Sequence, residues 1–217
     1  MALHPIFRKY LEPLTPQPIL DLWTKYKGNN LTKKWRKNPI DPSPPHRLKQ
    51  RVIEEHKRKF GHSLFIETGT YLGDMINAQK SRFKKVISIE LGDQLYKNAV
   101  EKFRKNKNIT LYQGDSGEVL GEIMNNISEP AIFWLDGHYS GGITAKGEKE
   151  CPILKELDAI FETNSLDHVL LIDDANCFVG ENDYPTLEEL KVYIQNKDSR
   201  YKFEVKDNII RSYIPSV

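Results

Sequence analysis

The chain has 217 residues, of which 39% are hydrophobic and 29% charged, as is typical of a soluble globular protein with one α/β domain and an extension. It contains no apolar stretch of about 18 residues and no signal-peptide core at the N-terminus, which predicts neither a membrane span nor secretion. Its two cysteines, Cys151 and Cys177, form no Cys-x-x-Cys pair, so we expect reduced thiols and a cytoplasmic location.

The formal net charge of +2 is unevenly distributed along the chain. Residues 1–62 contain 14 Lys and Arg against 5 Asp and Glu, whereas residues 63–217 contain 18 against 25. We therefore predict a basic N-terminal extension, residues 1–62, and a main domain, residues 63–217. The basic charge would suit an anionic partner, but a solvated surface is the commoner explanation.

Prolines interrupt the first 45 residues, in YLEPLTPQP and NPIDPSPP, so we expect irregular structure with one short amphipathic helix at ILDLWTKYKG. The segment RLKQRVIEEHKRKF then predicts a charged helix that ends near Gly61. Trp23 and Trp35 lie among the lysines of this extension, and aromatic rings between cations stack on sugars or bases.

Short apolar runs alternate with amphipathic segments from residue 63 onward. The predicted strands are SLFIETG, KVISIEL, ITLYQGD, PAIFWLDG and HVLLIDDA, and the helices are DMINAQKSRF, DQLYKNAVEKFRK, SGEVLGEIMNNI, CPILKELDAIFET and PTLEELKVYIQNK. Two final strands, YKFEVKDN and IIRSYIP, lie close enough to form a hairpin. This order predicts a doubly wound α/β fold, with a mostly parallel seven-stranded sheet between helices and an antiparallel strand from the C-terminal β-hairpin.

The loop after the first strand has the composition of a ligand-binding loop. Ligands of open α/β sheets bind at the carboxyl ends of the strands, where glycine lets the backbone approach them closely. The pattern here is E-x-G-x-x-x-G, which differs from the dinucleotide pattern because Thr70 and Tyr71 occupy the middle. The predicted contact residues of the loop are Glu67, Thr68, Gly69, Thr70, Tyr71 and Gly73.

The next two strands also end in residues suited to a nucleoside. Glu90 ends the second strand, where a carboxylate accepts hydrogen bonds from both ribose hydroxyls. Asp115 ends the third strand, where a carboxylate accepts a hydrogen bond from an adenine amino group. We predict that Leu91 and Ser116, beside these two acids, complete the contact.

The fourth and fifth strands end in three aspartates. Asp136 follows FWL, and Asp173 and Asp174 follow VLLI. Carboxylates that converge repel each other unless they are protonated or bind a cation, and an all-oxygen ligand set suits Mg²⁺, Mn²⁺ or Ca²⁺. Adjacent residues of a strand point to opposite faces, however, and either aspartate is also suited to cap the next helix.

His138 lies two residues beyond Asp136 and is a candidate general base. Its imidazole has a suitable intrinsic pKa, and a metal ion bound to a hydroxyl would lower the pKa of that nucleophile. The alternative is a structural or substrate-orienting role. The candidate catalytic residues are thus Asp136 and His138, and Asp136 is also a predicted contact of the cofactor.

Residues 63–217 resemble the class I methyltransferases that use S-adenosylmethionine (SAM), on the segments FIETGTYLGD, VISIEL, LYQGDS, FWLDG and VLLIDDA. The resemblance implies a Rossmann-like fold with SAM as cofactor. It places Glu67 and Gly69 near the amino-acid end of SAM, Glu90 at the ribose, and Asp115 with Ser116 at the adenine. The chain departs from the commonest motif where its middle glycine is missing.

The aspartates resemble those of the metal-dependent sugar O-methyltransferases of the macrocin O-methyltransferase type, and more distantly catechol O-methyltransferase. The resemblance implies a divalent cation such as Mg²⁺ on Asp136, Asp173 and Asp174, and a small hydroxylated acceptor such as a sugar. His138 stands where the sugar enzymes often carry a second aspartate.

The resemblance also bears on the basic N-terminal extension, residues 1–62. In the methyltransferase fold an N-terminal extension commonly forms a substrate cover or a homodimer contact, and we favour these roles over nucleic-acid binding.

Two other interpretations stay open at this point. One keeps the fold without the metal, with transfer to protein or RNA. The other is a non-enzymatic nucleic-acid-binding module.

Overall fold

A computed structural model describes residues 17–38, 43–137, 151–163 and 165–215, with side chains from residue 25 onward. The chain divides into two compact units, Met1–Arg51 and Val52–Val217. No helix in these described ranges is both long enough and apolar enough to cross a membrane.

The N-terminal unit is more helical than its sequence predicts. Helix α1 spans Gln17–Lys37, well beyond the predicted short segment, and helix α2 spans His46–Phe60 across the division between the units. Gly28 does not end α1, because the residues after it contain no proline before Pro39 and the Thr32 hydroxyl donates a hydrogen bond to the Gly28 carbonyl at 2.9 Å.

The second unit contains a seven-stranded sheet in the order β3-β2-β1-β4-β5-β7-β6. The strands are β1 (Leu64–Thr68), β2 (Lys85–Glu90), β3 (Ile109–Gln113), β4 (Ala131–Leu135), β5 (Val169–Ile172), β6 (Lys202–Lys206) and β7 (Ile209–Tyr213). The helices are α3 (Asp74–Gln79), α4 (Asp93–Phe103), α5 (Ser116–Met124), α6 (Ile153–Thr163) and α7 (Leu187–Lys197), with a short 3-10 helix at Ala175–Cys177.

The predicted strand directions are confirmed. Strands β1 to β5 pair in parallel, and β7 lies between β5 and β6 and is antiparallel to both. The hairpin turn consists of Asp207 and Asn208, with φ of 55° and 57°, the left-handed conformation that both central residues adopt in a type I′ hairpin turn.

The central strands β1, β4 and β5 are buried along their whole length. Successive side chains of a strand point to opposite faces, so both faces of the sheet are covered. The strands end one to three residues before the predicted ends, and the polar residues that follow them lie at the carboxyl edge. Helix α3 is also shorter than predicted, because the carbonyl of Gln79 accepts the N–H groups of Arg82 and Phe83 in a tight turn.

Candidate active site

The chain leaves β1 through a glycine that no other residue can replace without strain. Gly69 has φ of +81°, and a Cβ atom there would lie 2.3 Å from the carbonyl oxygen of Asp136. The N–H groups of Gly69 and Thr70 both donate to the carbonyl of Ile89, at 3.0 and 3.2 Å. The loop is therefore fixed between the ends of β2 and β4.

Glu90, at the end of β2, is held by the main chain. Its Oε2 accepts the N–H of Tyr71 at 2.7 Å and its Oε1 accepts the N–H of Gly92 at 2.8 Å, and the residue is 6% exposed. Tyr71 adopts φ of 49° where the commonest motif has its middle glycine. The two bonds use about half of the acceptor positions of a carboxylate, so each oxygen keeps a lone pair for a ligand hydroxyl.

A buried chain of three side chains joins β1, its loop and β2. The Ser88 hydroxyl donates to Glu67 Oε2 at 2.8 Å, and Thr70 Oγ1 lies 2.6 Å from Ser88 Oγ. Glu67 is 2% exposed, and this burial raises its pKa well above the usual range. The hydrogen bond from Ser88 partly offsets the rise, whereas the carboxylates of Asp136 and Glu90 raise the pKa further.

Asp115 and Ser116 form the turn after β3. Asp115 caps α5, because its Oδ1 accepts the N–H of Gly117 at 2.9 Å. Its second carboxylate oxygen is the one suited to an adenine amino group. The Ser116 hydroxyl donates to Oε1 of Glu156 at 2.6 Å. Leu91 follows β2 and is partly buried.

Asp136 extends from β4 at the same edge. Its N–H donates to the hydroxyl of Thr68 at 3.1 Å, and its Oδ2 accepts the indole N–H of Trp134 at 3.4 Å. His138, the candidate base, lies outside the described residues.

The two aspartates after β5 are oriented by other contacts. Oδ1 of Asp173 accepts the N–H of Asp174 at 2.9 Å, and Oδ1 of Asp174 accepts the side-chain amide of Asn208 at 3.3 Å. Asp174 has φ of 49°. In the described ranges, no three or more His, Cys, Asp or Glu side chains are grouped closely enough to hold a metal ion. Asp136, Asp173 and Asp174 are thus not grouped as metal ligands in the described geometry, and their role in binding a cation stays a prediction.

No protein-family model matches the sequence, and no curated protein matches it. Solved structures do match. An O-methyltransferase from Bacillus cereus in complex with S-adenosylhomocysteine (SAH) has a TM-score of 0.58 at 12% identity, over 88% of this chain and 90% of that one. TomG, an O-methyltransferase from Streptomyces achromogenes in complex with SAM, has a TM-score of 0.56 at 10% identity, over 87% and 89%.

The fold is that of the methyltransferases. A Podospora anserina methyltransferase bound to SAH also matches, with a TM-score of 0.54 at 14% identity, over 93% of this chain and 97% of that one. At these identities the likeness shows the methyltransferase fold, and the macrocin-type resemblance stays a prediction.

Three residues of this methyltransferase-fold site were not predicted from the sequence. Ser88 binds Glu67, Glu156 binds Ser116, and Asn208 binds Asp174. A serine inside the apolar run VISIEL was a usable signal, because a buried hydroxyl needs a polar partner. Glu156 lies in a predicted amphipathic helix and Asn208 in a predicted hairpin turn. Acidic residues of such helices and asparagines of such turns are commonly exposed, so neither residue was marked as part of the site.

Proposed function

We propose that the chain is a SAM-dependent methyltransferase that methylates a hydroxyl group of a small acceptor such as a sugar. The observation that carries the proposal is the fixed carboxylate of Glu90, at the end of β2 in a methyltransferase fold, beside the loop that begins at Gly69. The complexes of similar fold with SAM or SAH support the choice of cofactor.

The described residues fit this cofactor along the carboxyl edge of the sheet. Glu90 keeps acceptor positions for the two ribose hydroxyls, and Asp115 keeps one oxygen for the adenine amino group. The backbone of the loop from Gly69 to Gly73 lies at the same edge, fixed between the ends of β2 and β4. The carboxylate of Asp136 supplies negative charge for a cationic ligand.

When bound, SAM supplies an electrophilic methyl group. The protein's contribution is to hold the acceptor hydroxyl in line with that group and to take its proton, and positioning supplies most of the rate. His138 is the predicted acceptor for the proton, and Asp136 is the second candidate catalytic residue. Replacing His138 by alanine would lower the methyl-transfer rate without weakening SAH binding to a similar degree.

Assistance by Mg²⁺ or another divalent cation is a separate prediction. The described positions of Asp136, Asp173 and Asp174 do not fit a metal ion, so we derive no step through one. Methyl transfer to a panel of sugars and catechols, measured with EDTA and with added Mg²⁺ or Mn²⁺, decides the question. Activity that persists in EDTA would remove the metal from the proposal.

Calorimetric titration with SAH tests the proposed function directly. We expect the wild type to bind SAH and Glu90→Ala to bind it at least about tenfold more weakly, because the ribose loses a charge-assisted contact. Glu101→Ala, which removes an exposed carboxylate of α4, is the matched control and should bind like the wild type. A folded wild type that does not bind SAH would refute the proposal.

The role of the N-terminal extension stays a proposal of the same kind. As a homodimer contact it would make the full chain sediment as a dimer. As a substrate cover it would leave the chain monomeric while its removal raises KM for the acceptor.

A further inference from the structure

Ser116 and Glu156 form a buried polar pair inside the apolar layer between the sheet and helices α5 and α6. Glu156 is 1% exposed and Ser116 is 7% exposed, and their oxygens are 2.6 Å apart. The neighbours of Glu156 along α6 include Ile153 and Leu157, which are both core residues. A carboxylate is costly to bury at such a place, so it calls for a role beyond filling space.

The pair lies beside the backbone that follows β4, at the carboxyl edge. A Cβ atom on Gly137 would lie 2.8 Å from Ser116 Oγ, 2.9 Å from Glu156 Oε1 and 3.2 Å from Thr68 Oγ1. Gly137 is therefore enclosed by three side-chain oxygens. Through its hydrogen bond to Ser116, Glu156 links the turn after β3 to α6 at this place.

The connection bears on Asp115, because Ser116 is the next residue and the first of α5. Asp115 Oδ1 is used by the helix cap, and the carboxylate is fixed in direction by that bond. The first N–H groups of a helix have no partner within the helix. The turn accordingly presents an acceptor, the second Asp115 oxygen, beside the main-chain donor of Ser116.

This donor and acceptor pair matches the edge of adenine. Its 6-amino group is a donor and its N1 is an acceptor, whereas hypoxanthine has an acceptor at position 6 and a donor at N1. Hypoxanthine would set a carbonyl against the carboxylate and an N–H against an N–H, which leaves buried polar groups unpaired.

We propose that Glu156 is a positioning residue for base recognition, which fixes Ser116 and Asp115 so that the site selects adenine over hypoxanthine. The inference deepens the proposed function and rests on it. Glu156 acts through Ser116 and has no contact with the cofactor in this scheme.

Glu156 could also act only as a structural link between α5 and α6. A neighbouring ion pair allows this structural role to be tested separately from base recognition. Lys155 and Glu118 join the same two helices on the exposed side, with 2.5 Å between Nζ and Oε1. Glu118→Ala therefore removes a link between the helices without touching Ser116, and it serves as the matched control.

The experiment is calorimetric titration with SAH and with S-inosylhomocysteine, its hypoxanthine analogue. We expect the wild type and Glu118→Ala to bind SAH at least about tenfold more tightly than the analogue. Glu156→Leu should lose about tenfold in affinity for SAH but change little toward the analogue, so that the ratio falls toward one. Glu156→Gln keeps an acceptor oxygen for Ser116 and should keep most of the ratio.

Equal losses for both ligands in Glu156→Leu, or an unchanged ratio, would overturn the inference and leave the proposed function standing. Absence of SAH binding by the wild type would instead remove the proposed function. If Glu156→Leu does not fold, as judged by circular dichroism, Ser116→Ala replaces it. That variant should show the same fall in the ratio, and a wild-type ratio in Ser116→Ala would also overturn the inference.

Discussion

Gly69 is the first residue after β1, where the chain leaves the sheet. The atoms around it leave no room for a side chain. Gly69→Ala would place a methyl group 2.3 Å from a main-chain oxygen in a left-handed conformation, so we expect the free energy of unfolding to fall by about 3 kcal/mol or more. Urea unfolding measures this.

The matched control for that substitution is Gly121→Ala. A Cβ atom at Gly121, inside α5, meets no atom within 4 Å. Alanine there should raise the free energy of unfolding by about 0.5–1 kcal/mol. If Gly69→Ala were as stable as the wild type, the loop would be able to move away from the new methyl group. That result would contradict the tight packing of Gly69 against the main chain of Asp136.

Glu67 makes stability depend on pH. Burial raises its pKa above the unfolded value of 4.5, so the folded protein binds the proton more tightly than the unfolded chain. The contribution of Glu67 to the free energy of unfolding is therefore fully present below pH 4.5. It is lost as the pH rises through the pKa of Glu67 in the folded protein. Each pH unit between the two pKa values removes about 1.4 kcal/mol.

Glu67→Gln removes this dependence. We expect the variant to gain stability relative to the wild type as pH rises from 4.5, with no comparable gain for Glu101→Gln, whose carboxylate is exposed. Urea unfolding at several pH values gives the difference. Parallel stability curves for Glu67→Gln and the wild type would show that the carboxyl group titrates normally.

The β6–β7 hairpin adds the last two strands to the sheet, and its turn also holds the segment after β5 in place. The Asn208 amide donates to Asp174 at 3.3 Å and to Asn176 at 2.6 Å, and its Oδ1 accepts the N–H of Asn176 at 2.8 Å. The Asn208 carbonyl also accepts the N–H of Ala175 at 3.0 Å.

Two substitutions of Asn208 separate these side-chain bonds from the backbone conformation. Asn208→Gly keeps the left-handed turn and loses the bonds, so we expect about 1–2 kcal/mol less stability. Asn208→Ala should cost about 1 kcal/mol more, because alanine is strained at φ of 57°. Equal stabilities of the two variants in urea unfolding would contradict the left-handed assignment.

The order and type of the elements from β1 to β7 were predictable, because each buried strand is an apolar run of four to six residues and each helix has an amphipathic period. The length of α1 was not, since the basic run after Gly28 has no apolar period. The extent of α3 was missed because a turn at Gln79 has no proline or glycine to mark it.

The positions of the candidate site residues were predictable only at the ends of strands. Glu90 and Asp115 follow from that rule. Glu156 does not, since it is 40 residues from Ser116 along the chain and only the packing of α5 against α6 brings them together. The conformation of Asp174 depends likewise on a hairpin turn 34 residues away.

At the scale of the whole molecule, α2 matters because the second unit begins inside it. Its C-terminal half packs on the domain that carries the site. The His56 and Phe60 rings lie 5.7 and 5.4 Å from that of Tyr213 in β7, and Glu54 forms an ion pair with Arg82 at 3.0 Å. Aromatic pairs of this kind contribute about 0.5–1.5 kcal/mol each beyond their buried area.

Two truncated chains test how much this packing contributes to the stability of the second unit. A fragment of residues 46–217 keeps α2 and should unfold cooperatively with a Tm close to that of the full chain. A fragment of residues 63–217 loses both ring contacts and the Glu54–Arg82 pair, so we expect a lower Tm by about 5 °C or more, or no stable fold. Calorimetry of the two fragments and the full chain measures the difference. Equal Tm values for the two fragments would show that α2 contributes nothing to the stability of the second unit, despite its contacts with Tyr213.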